Sequence, residues 1–307
     1  MVTVTGEFEL IAKLRSRLRE PVTDGEVWIG DDAAVVATPA QAWMVLASDS
    51  VVAGVHSDLA LTSLSDLGWK AVAVCVSDLA AMGARPAHAV VAVSGGRADE
   101  VELLYEGVAA AAETFGVAVV GGDLTESPTL VVNVTVTGTC AGYPVLRSGA
   151  RPGDGIWVTG PLGASAAGLR LLRDGSGAQA PLLVAAHARP RPLLAEGEAA
   201  RRAGATAMID VSDGFGADLG HLLDASGVGC ELERLPVAPG ATPAQALGGG
   251  DVHARGDAPD ELEVLAAAFA GRGLRPPTRV GRCTSDPATR TLDGGPLPPV
   301  GWQHRVG

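Results

Sequence analysis

The sequence predicts an α+β protein of two domains, built from mixed β-sheets covered by helices. Three observations lead there. Strand-like and helix-like segments alternate through the first third of the chain. A turn-rich run, Arg147-Ser-Gly-Ala-Arg-Pro-Gly-Asp-Gly155, separates two patterned halves. And 307 residues, 47% of them hydrophobic and 19% charged, exceed one ordinary small domain while supplying a substantial core. The expected domains are 1–146 and 147–307.

The elements follow in order. Phe8 to Leu18 carries apolar residues at helical spacing and reads as a short amphipathic helix. Residues 42–48 form a strand that delivers Asp49, and the Ser/Thr cluster at 62–65 opens a long helix running to Met82. A strand over 88–94, a helix over 100–114 and a strand over 117–120 come next. Residues 130–138 alternate as a strand with one polar face. Beyond the hinge, a strand is expected at 156–159, a helix at 164–173 and a loop at 174–179. A helix at 193–204, a strand at 207–211 and a helix at 217–225 complete that stretch. From Pro236 the chain is rich in Pro, Gly and Ala, and a helix is expected again over 260–270.

Charge narrows the partners. The net charge of −12 argues against nucleic acid or an anionic membrane, since both require a positive footprint. Lysine occurs only at Lys13 and Lys70, so a bound polyphosphate must be neutralised by metal ions and a few arginines. Cys75, Cys140, Cys230 and Cys283 are scattered without a C-x-x-C pair, which disfavours zinc and a disulfide framework. No apolar run of membrane-spanning length and no signal peptide is present, so a cytoplasmic protein is expected.

The familiar catalytic motifs are missing: no Walker phosphate loop, no G-x-S-x-G elbow and no kinase H-R-D or D-F-G set. Gly160-Pro-Leu-Gly163 reads as a plain strand–helix turn. What the chain has instead is a series of aspartates beside small residues. They stand in Gly30-Asp31-Asp32-Ala33-Ala34, Ser48-Asp49-Ser50, Ser77-Asp78-Leu79, Gly121-Gly122-Asp123 and Asp210-Val211-Ser212-Asp213-Gly214. Magnesium is a hard cation that takes carboxylates together with substrate phosphates, and converging aspartates can hold such ions against a triphosphate. Any one of them has a bland reading, such as the turn dipeptide Asp213-Gly214. Asp78 is harder to dismiss: it lies inside an apolar helix, where an unpaired carboxylate costs several kcal/mol, roughly.

Longer segments make a specific resemblance. GEFELIAKL (6–14), GDDAAV (30–35), SDSVVAGVH (48–56), DLGWKAVAVCVSDLAAMGARP (66–86), VGGDLTES (120–127), RSGARPGD (147–154) and DVSDGF (210–215) resemble the thiamine-monophosphate kinase family, in order and spacing. The closing GWQH (301–304) is similar too. That family shares an unusual non-Walker ATP-binding fold with aminoimidazole-ribonucleotide synthetase and selenophosphate synthetase. The resemblance implies magnesium ligation by Asp32, Asp49, Asp78, Asp123, Asp210 and Asp213, with Ser48 near the metals. It implies ATP contacts from Gly122, Asp123, Arg147 and Ser212, a catalytic part for Asp78, Asp123 and Asp213, and thiamine-monophosphate contacts from His56 and Trp302. The implied reaction is phosphorylation of thiamine monophosphate by Mg2+–ATP to thiamine diphosphate. The implied assembly is a homodimer through the N-terminal domains.

The chain departs from the family pattern at Cys75, where the family has Asn, and at Ser57, where an aromatic follows the histidine. The late GGED motif is also replaced by Gly248-Gly-Gly-Asp251. Two other readings stay open at this point: a related ATP-dependent enzyme acting on a different phosphate-bearing molecule, and a nucleotide-binding paralogue with weak turnover.

Overall fold

A computed structural model describes residues 5–6, 23–28, 31–38, 43–248, 267–298 and 305–306. The expected helix over 8–18, the GWQH segment with Trp302, and the altered motif near Asp251 lie outside these residues.

The first sheet has the order β2-β3-β6-β4-β5, with β2 at Ala34–Ala37, β3 at Trp43–Val52, β4 at Arg85–Ser94, β5 at Ala118–Thr125 and β6 at Val131–Cys140. All its pairings are antiparallel except β4 with β5, so the sheet is mixed. Helices α1 (Leu64–Ala81) and α2 (Ala98–Phe115) pack together, and α1 lies directly on β3 and β6. Period-two alternation places Val45, Ala47 and Val51 of β3, Val91 and Val93 of β4, and Val132, Val134 and Val136 of β6 in the core beneath them.

Helix α1 starts where its sequence says it should. Ser63 accepts a hydrogen bond from the Asp66 amide at 3.1 Å, and the Asp66 carboxylate accepts from the Ser63 amide at 3.1 Å, a reciprocal capping box. The two helices approach closely because glycines face one another. A Cβ on Gly68 would sit 2.1 Å from the Leu104 carbonyl oxygen, and one on Gly107 1.8 Å from that of Ser65.

The second sheet has the order β11-β10-β8-β9-β7, with β7 at Gly155–Val158, β8 at Gly229–Leu232, β9 at Thr278–Thr284, β10 at Arg290–Leu292 and β11 at Gly295–Pro296. It too is mixed, with β8 and β10 parallel. Helices α3 (Ala164–Arg173), α4 (Pro181–Ala188), α5 (Leu194–Arg202), α6 (Phe215–Ser226) and α7 (Pro243–Gly248) belong to this half. Its core joins Ile156, Val158, Ile209, Phe215, Leu219 and Val280. Near the ends of the chain, β1 (Thr5–Gly6) pairs antiparallel with β12 (Arg305–Val306).

Several expectations need correction. Residues 207–211 are buried, with Ala207 fully so, but form no strand; the Met208 amide donates to the Leu146 carbonyl at 3.0 Å. The segment is apolar because it is buried, not because it has a ladder partner. Strand β3 continues past Asp49 to Val52, and β5 continues through Asp123 to Thr125, so both aspartates stand within strands rather than just after them. Helix α4 was not expected: Pro181-Leu-Leu-Val-Ala-Ala is apolar all round and gives no helical period.

The halves are fastened by polar contacts. Glu198 of α5 accepts from Arg85 at the start of β4, from Arg202 and from Arg272. The Trp69 indole donates to the Pro190 carbonyl at 2.8 Å, and Arg201 donates to the Gly83 and Ala141 carbonyls.

Candidate metal and nucleotide site

Asp32, Asp78 and Asp210 come from three separate parts of the chain, and one carboxylate oxygen of each lies within 4.8 Å of the other two. Asp32 follows the turn before β2, Asp78 projects from α1, and Asp210 stands on the irregular chain before α6. The neighbour of Asp78 helps to fix the group: Ser77 donates its hydroxyl to Asp210 at 2.6 Å, so consecutive residues of α1 both address Asp210. Arg147 holds Asp32 from the other side with hydrogen bonds of 3.0 and 2.8 Å, and its amide donates to Asp31 at 3.0 Å.

The electrostatics are those of crowded acids. Burial raises the Asp78 carboxyl well above the ordinary range, and the charges of Asp210, Asp49 and Asp32 raise it further. Burial does the same to Asp210, followed by Asp32, while the Ser77 hydroxyl opposes it. Asp31 is pushed up to about 6 by burial and then by Asp32. Burial works against the charge of Arg147, but Asp32 more than offsets it and holds the guanidinium above its usual range. A group of oxygen donors that repel one another, with one guanidinium beside them, fits a hard divalent cation. The donor set lacks the nitrogen or sulfur ligands that zinc favours.

The remaining expected residues lie on β3, on β5 and in the loop before α6. Asp49 lies on β3 near enough to raise the Asp78 carboxyl, and its register partner is the core residue Val134. Ser48, one residue earlier, points to the opposite, exposed face, where its hydroxyl meets that of Thr135 at 2.8 Å. Asp123 and Gly122 lie on β5, every residue of which is exposed; Asp123 accepts from the Thr125 hydroxyl at 2.8 Å and is not part of the three-acid group. Gly122 runs close to β4, since a Cβ there would sit 1.9 Å from the Val91 carbonyl oxygen.

Ser212 and Asp213 form a tight loop with Gly214. The amides of all three donate to one oxygen of Asp218, at 3.0, 3.1 and 3.0 Å. Asp218 was not singled out from sequence. Its signal was available: an acid in the first turn of a helix that follows Ser-Asp-Gly. Burial raises its carboxyl to about 7, with the Asp213 charge adding to the rise, against the three amides. Ser77 was missed too, although it directly precedes Asp78 in the most specific motif.

His56 follows β3 in a turn built on Gly54, whose φ is 82°. Its amide donates to the Val52 carbonyl at 3.0 Å, and its Nδ1 accepts from the Val52 amide at 2.9 Å. An Nδ1 that accepts carries no proton, so the neutral ring has its proton on Nε2.

The chain matches the family described as AIR synthase related protein, N-terminal domain, over residues 30–142, and the corresponding C-terminal domain family over residues 151–291. It is 40% identical to thiamine-monophosphate kinase of Salmonella typhimurium over 240 residues, 75% of this chain and 73% of that protein. It is 37% identical to thiamine-monophosphate kinase of Mycobacterium tuberculosis over an alignment covering 97% of this chain and 91% of the relative. Among solved structures, AaThiL complexed with AMPPCP and TMP superposes with a TM-score of 0.84 at 30% identity, covering 97% of each chain.

Proposed function

The chain belongs to the thiamine-monophosphate kinase family, and on that footing we propose how its residues divide the work of phosphorylating thiamine monophosphate with ATP. The products are thiamine diphosphate and ADP. The observation that carries the assignment of roles is the convergence of Asp32, Asp78 and Asp210 on one point, flanked by Arg147.

These three carboxylates, with Asp49 beside them, hold magnesium. Asp213 and Asp123 contribute from the loop before α6 and from β5. Magnesium held there would supply charge neutralisation for the triphosphate of ATP. Arg147, Gly122 and Ser212 contact the nucleotide; the Ser48 hydroxyl, on the opposite face of β3 from Asp49, stands apart from the carboxylate group. The amides of Ser212 and Asp213 are already committed to Asp218, so the roles assigned to these residues fall to their side chains. The solved relative complexed with AMPPCP and TMP supports ATP and thiamine monophosphate as the two substrates.

The acceptor is a phosphate oxygen that is already anionic. No strong base is required to activate it, and in-line positioning with charge neutralisation supplies the rate. His56 and Trp302 are assigned to thiamine monophosphate. The division of the chain into domains 1–146 and 147–307 is supported by separate cores on either side of it.

The protein works as a homodimer through its N-terminal sheet. The support is an edge strand carrying exposed apolar residues: Val119, Val120 and Leu124 of β5 are exposed, Leu124 by 68%. An edge strand of this kind invites pairing. A cytoplasmic location suits the substrates; among the described residues no helix is long and apolar enough to cross a membrane.

Incubation of purified protein with ATP, magnesium and thiamine monophosphate, with the thiamine esters then separated, tests the reading. Thiamine diphosphate is the expected product. ATP binding without it would point instead to another phosphate-bearing acceptor.

A further inference from the structure

Helix α1 buries a lysine that none of the roles above uses. Lys70 is 8% exposed, in a chain where lysine occurs at only two positions and arginine otherwise supplies the positive charge. Burying an ammonium is costly unless it is hydrogen-bonded, and the partner here is informative. Its Nζ donates to the backbone carbonyl of His56 at 3.3 Å.

That contact completes a set. The His56 amide is held by the Val52 carbonyl, its Nδ1 by the Val52 amide, and its carbonyl by Lys70. The first two bonds tie the residue to the end of β3, three positions beyond Asp49. The third ties it to α1, two turns before Asp78. Lys70 is therefore the link between the His56 turn and the helix that carries the metal-site aspartate.

The surroundings suit a fixed tether. Asp66 stands one turn earlier on the same helix, and its carboxylate is engaged by Arg189 and by the helix cap. Arg189 in turn lies over the Trp69 ring, 5.4 Å from its centroid. On the α4 side stands His187, whose ring is held down to about 4, first by burial and then by the charge of Lys70. A compact ammonium with three donors fits between these groups.

We propose that Lys70 is a positioning residue for the acceptor side of the reaction: by holding the His56 carbonyl it fixes the turn that carries His56, the residue assigned to thiamine monophosphate. The proposal rests on His56 facing that substrate, as assigned above. Among the described residues Lys70 has no hydrogen bond to Asp32, Asp78 or Asp210, so its effect is expected on thiamine monophosphate rather than on ATP.

The test is Lys70→Met, which keeps the stem and removes the ammonium, beside Lys70→Arg, which keeps a charged donor. With the full chain, Lys70→Met is expected to raise the KM for thiamine monophosphate about tenfold, the loss of one charge-assisted hydrogen bond. The KM for ATP stays within about twofold, and Lys70→Arg recovers part of the loss. The second readout needs no turnover: 15N spectra of histidine-labelled protein, with His56 identified by its absence in His56→Gln. Wild type shows the Nε2–H form at His56, and Lys70→Met shifts that signal towards a mixture of tautomers. An unchanged His56 signal, or a KM rising equally for both substrates, would overturn the proposal. If wild type forms no thiamine diphosphate while the signal still shifts, the tether stands and the substrate assignment fails.

Discussion

Arg147 grips Asp32 with two nearly parallel hydrogen bonds, of 3.0 Å from Nε and 2.8 Å from Nη2, so a residue at the opening of the second half neutralises a carboxylate of the first. The Asp32 side chain is 1% exposed. Removing the guanidinium leaves that charge buried beside Asp31, Asp78 and Asp210. Arg147→Ala should cost about 3 kcal/mol of stability in the absence of metal. Magnesium should recover much of it by taking over the neutralising role. Thermal unfolding with and without magnesium checks both parts; an equal loss in both conditions would show that Arg147 and the metal do not share a centre.

Asp78→Asn acts in the opposite sense. Asp78 is pushed up by burial and by three neighbouring acids, so removing its charge relieves repulsion in the metal-free protein. The variant should unfold no earlier than wild type without metal. Its stabilisation by magnesium should largely vanish, together with turnover. Near-normal activity would contradict the ligand assignment.

Glu198 supplies a pH dependence away from the site. Burial raises its carboxyl, but Arg85, Arg272 and Arg202 outweigh that and hold it at about 2, against an ordinary 4.5. A folded value below the unfolded one means that stability is fully present above about 4.5 and is lost as the pH falls towards 2. Glu198→Gln should cost roughly 1–2 kcal/mol near neutral pH, less than a fully buried pair because Arg85 and Arg202 are half exposed or more. The gap between the melting temperatures of wild type and variant should narrow below pH 4.5. A constant gap down to pH 3, on the order of the neutral-pH difference, would show that the three arginines do not hold the ionised form.

Leu124→Glu tests the assembly. Placing a charge on the most exposed large apolar residue of β5 should turn the proposed dimer into a monomer in light scattering, with the monomer still folded by circular dichroism. A dimer that survives would place the interface elsewhere.

Much of this arrangement was legible in the sequence, and the reason lies in spacing. An acid within the apolar run of α1 cannot be solvated by the surface around it, so Asp78 announces a partner. Small residues after Asp32 announce a close approach. Partners set by the path of the chain were not legible. Nothing in the sequence says that Ser77 would reach Asp210, 133 positions away. The Asp218 clamp could be read from the acid in the first turn of α6, yet only folding shows three amides meeting one oxygen. Strands β8, β9 and β10 escaped notice because they are short and carry Gly, Arg and Glu among their apolar residues. Their apolar positions are too few to set a period.

The most direct test of the central claim follows the phosphate itself. Wild-type protein and Asp78→Asn are each incubated with γ-labelled ATP, magnesium and thiamine monophosphate, and the thiamine esters are separated. Label in the terminal phosphate of thiamine diphosphate from wild type, and none from the variant, is the predicted result. Unlabelled thiamine monophosphate with label released as inorganic phosphate, or equal labelling by both proteins, would contradict it.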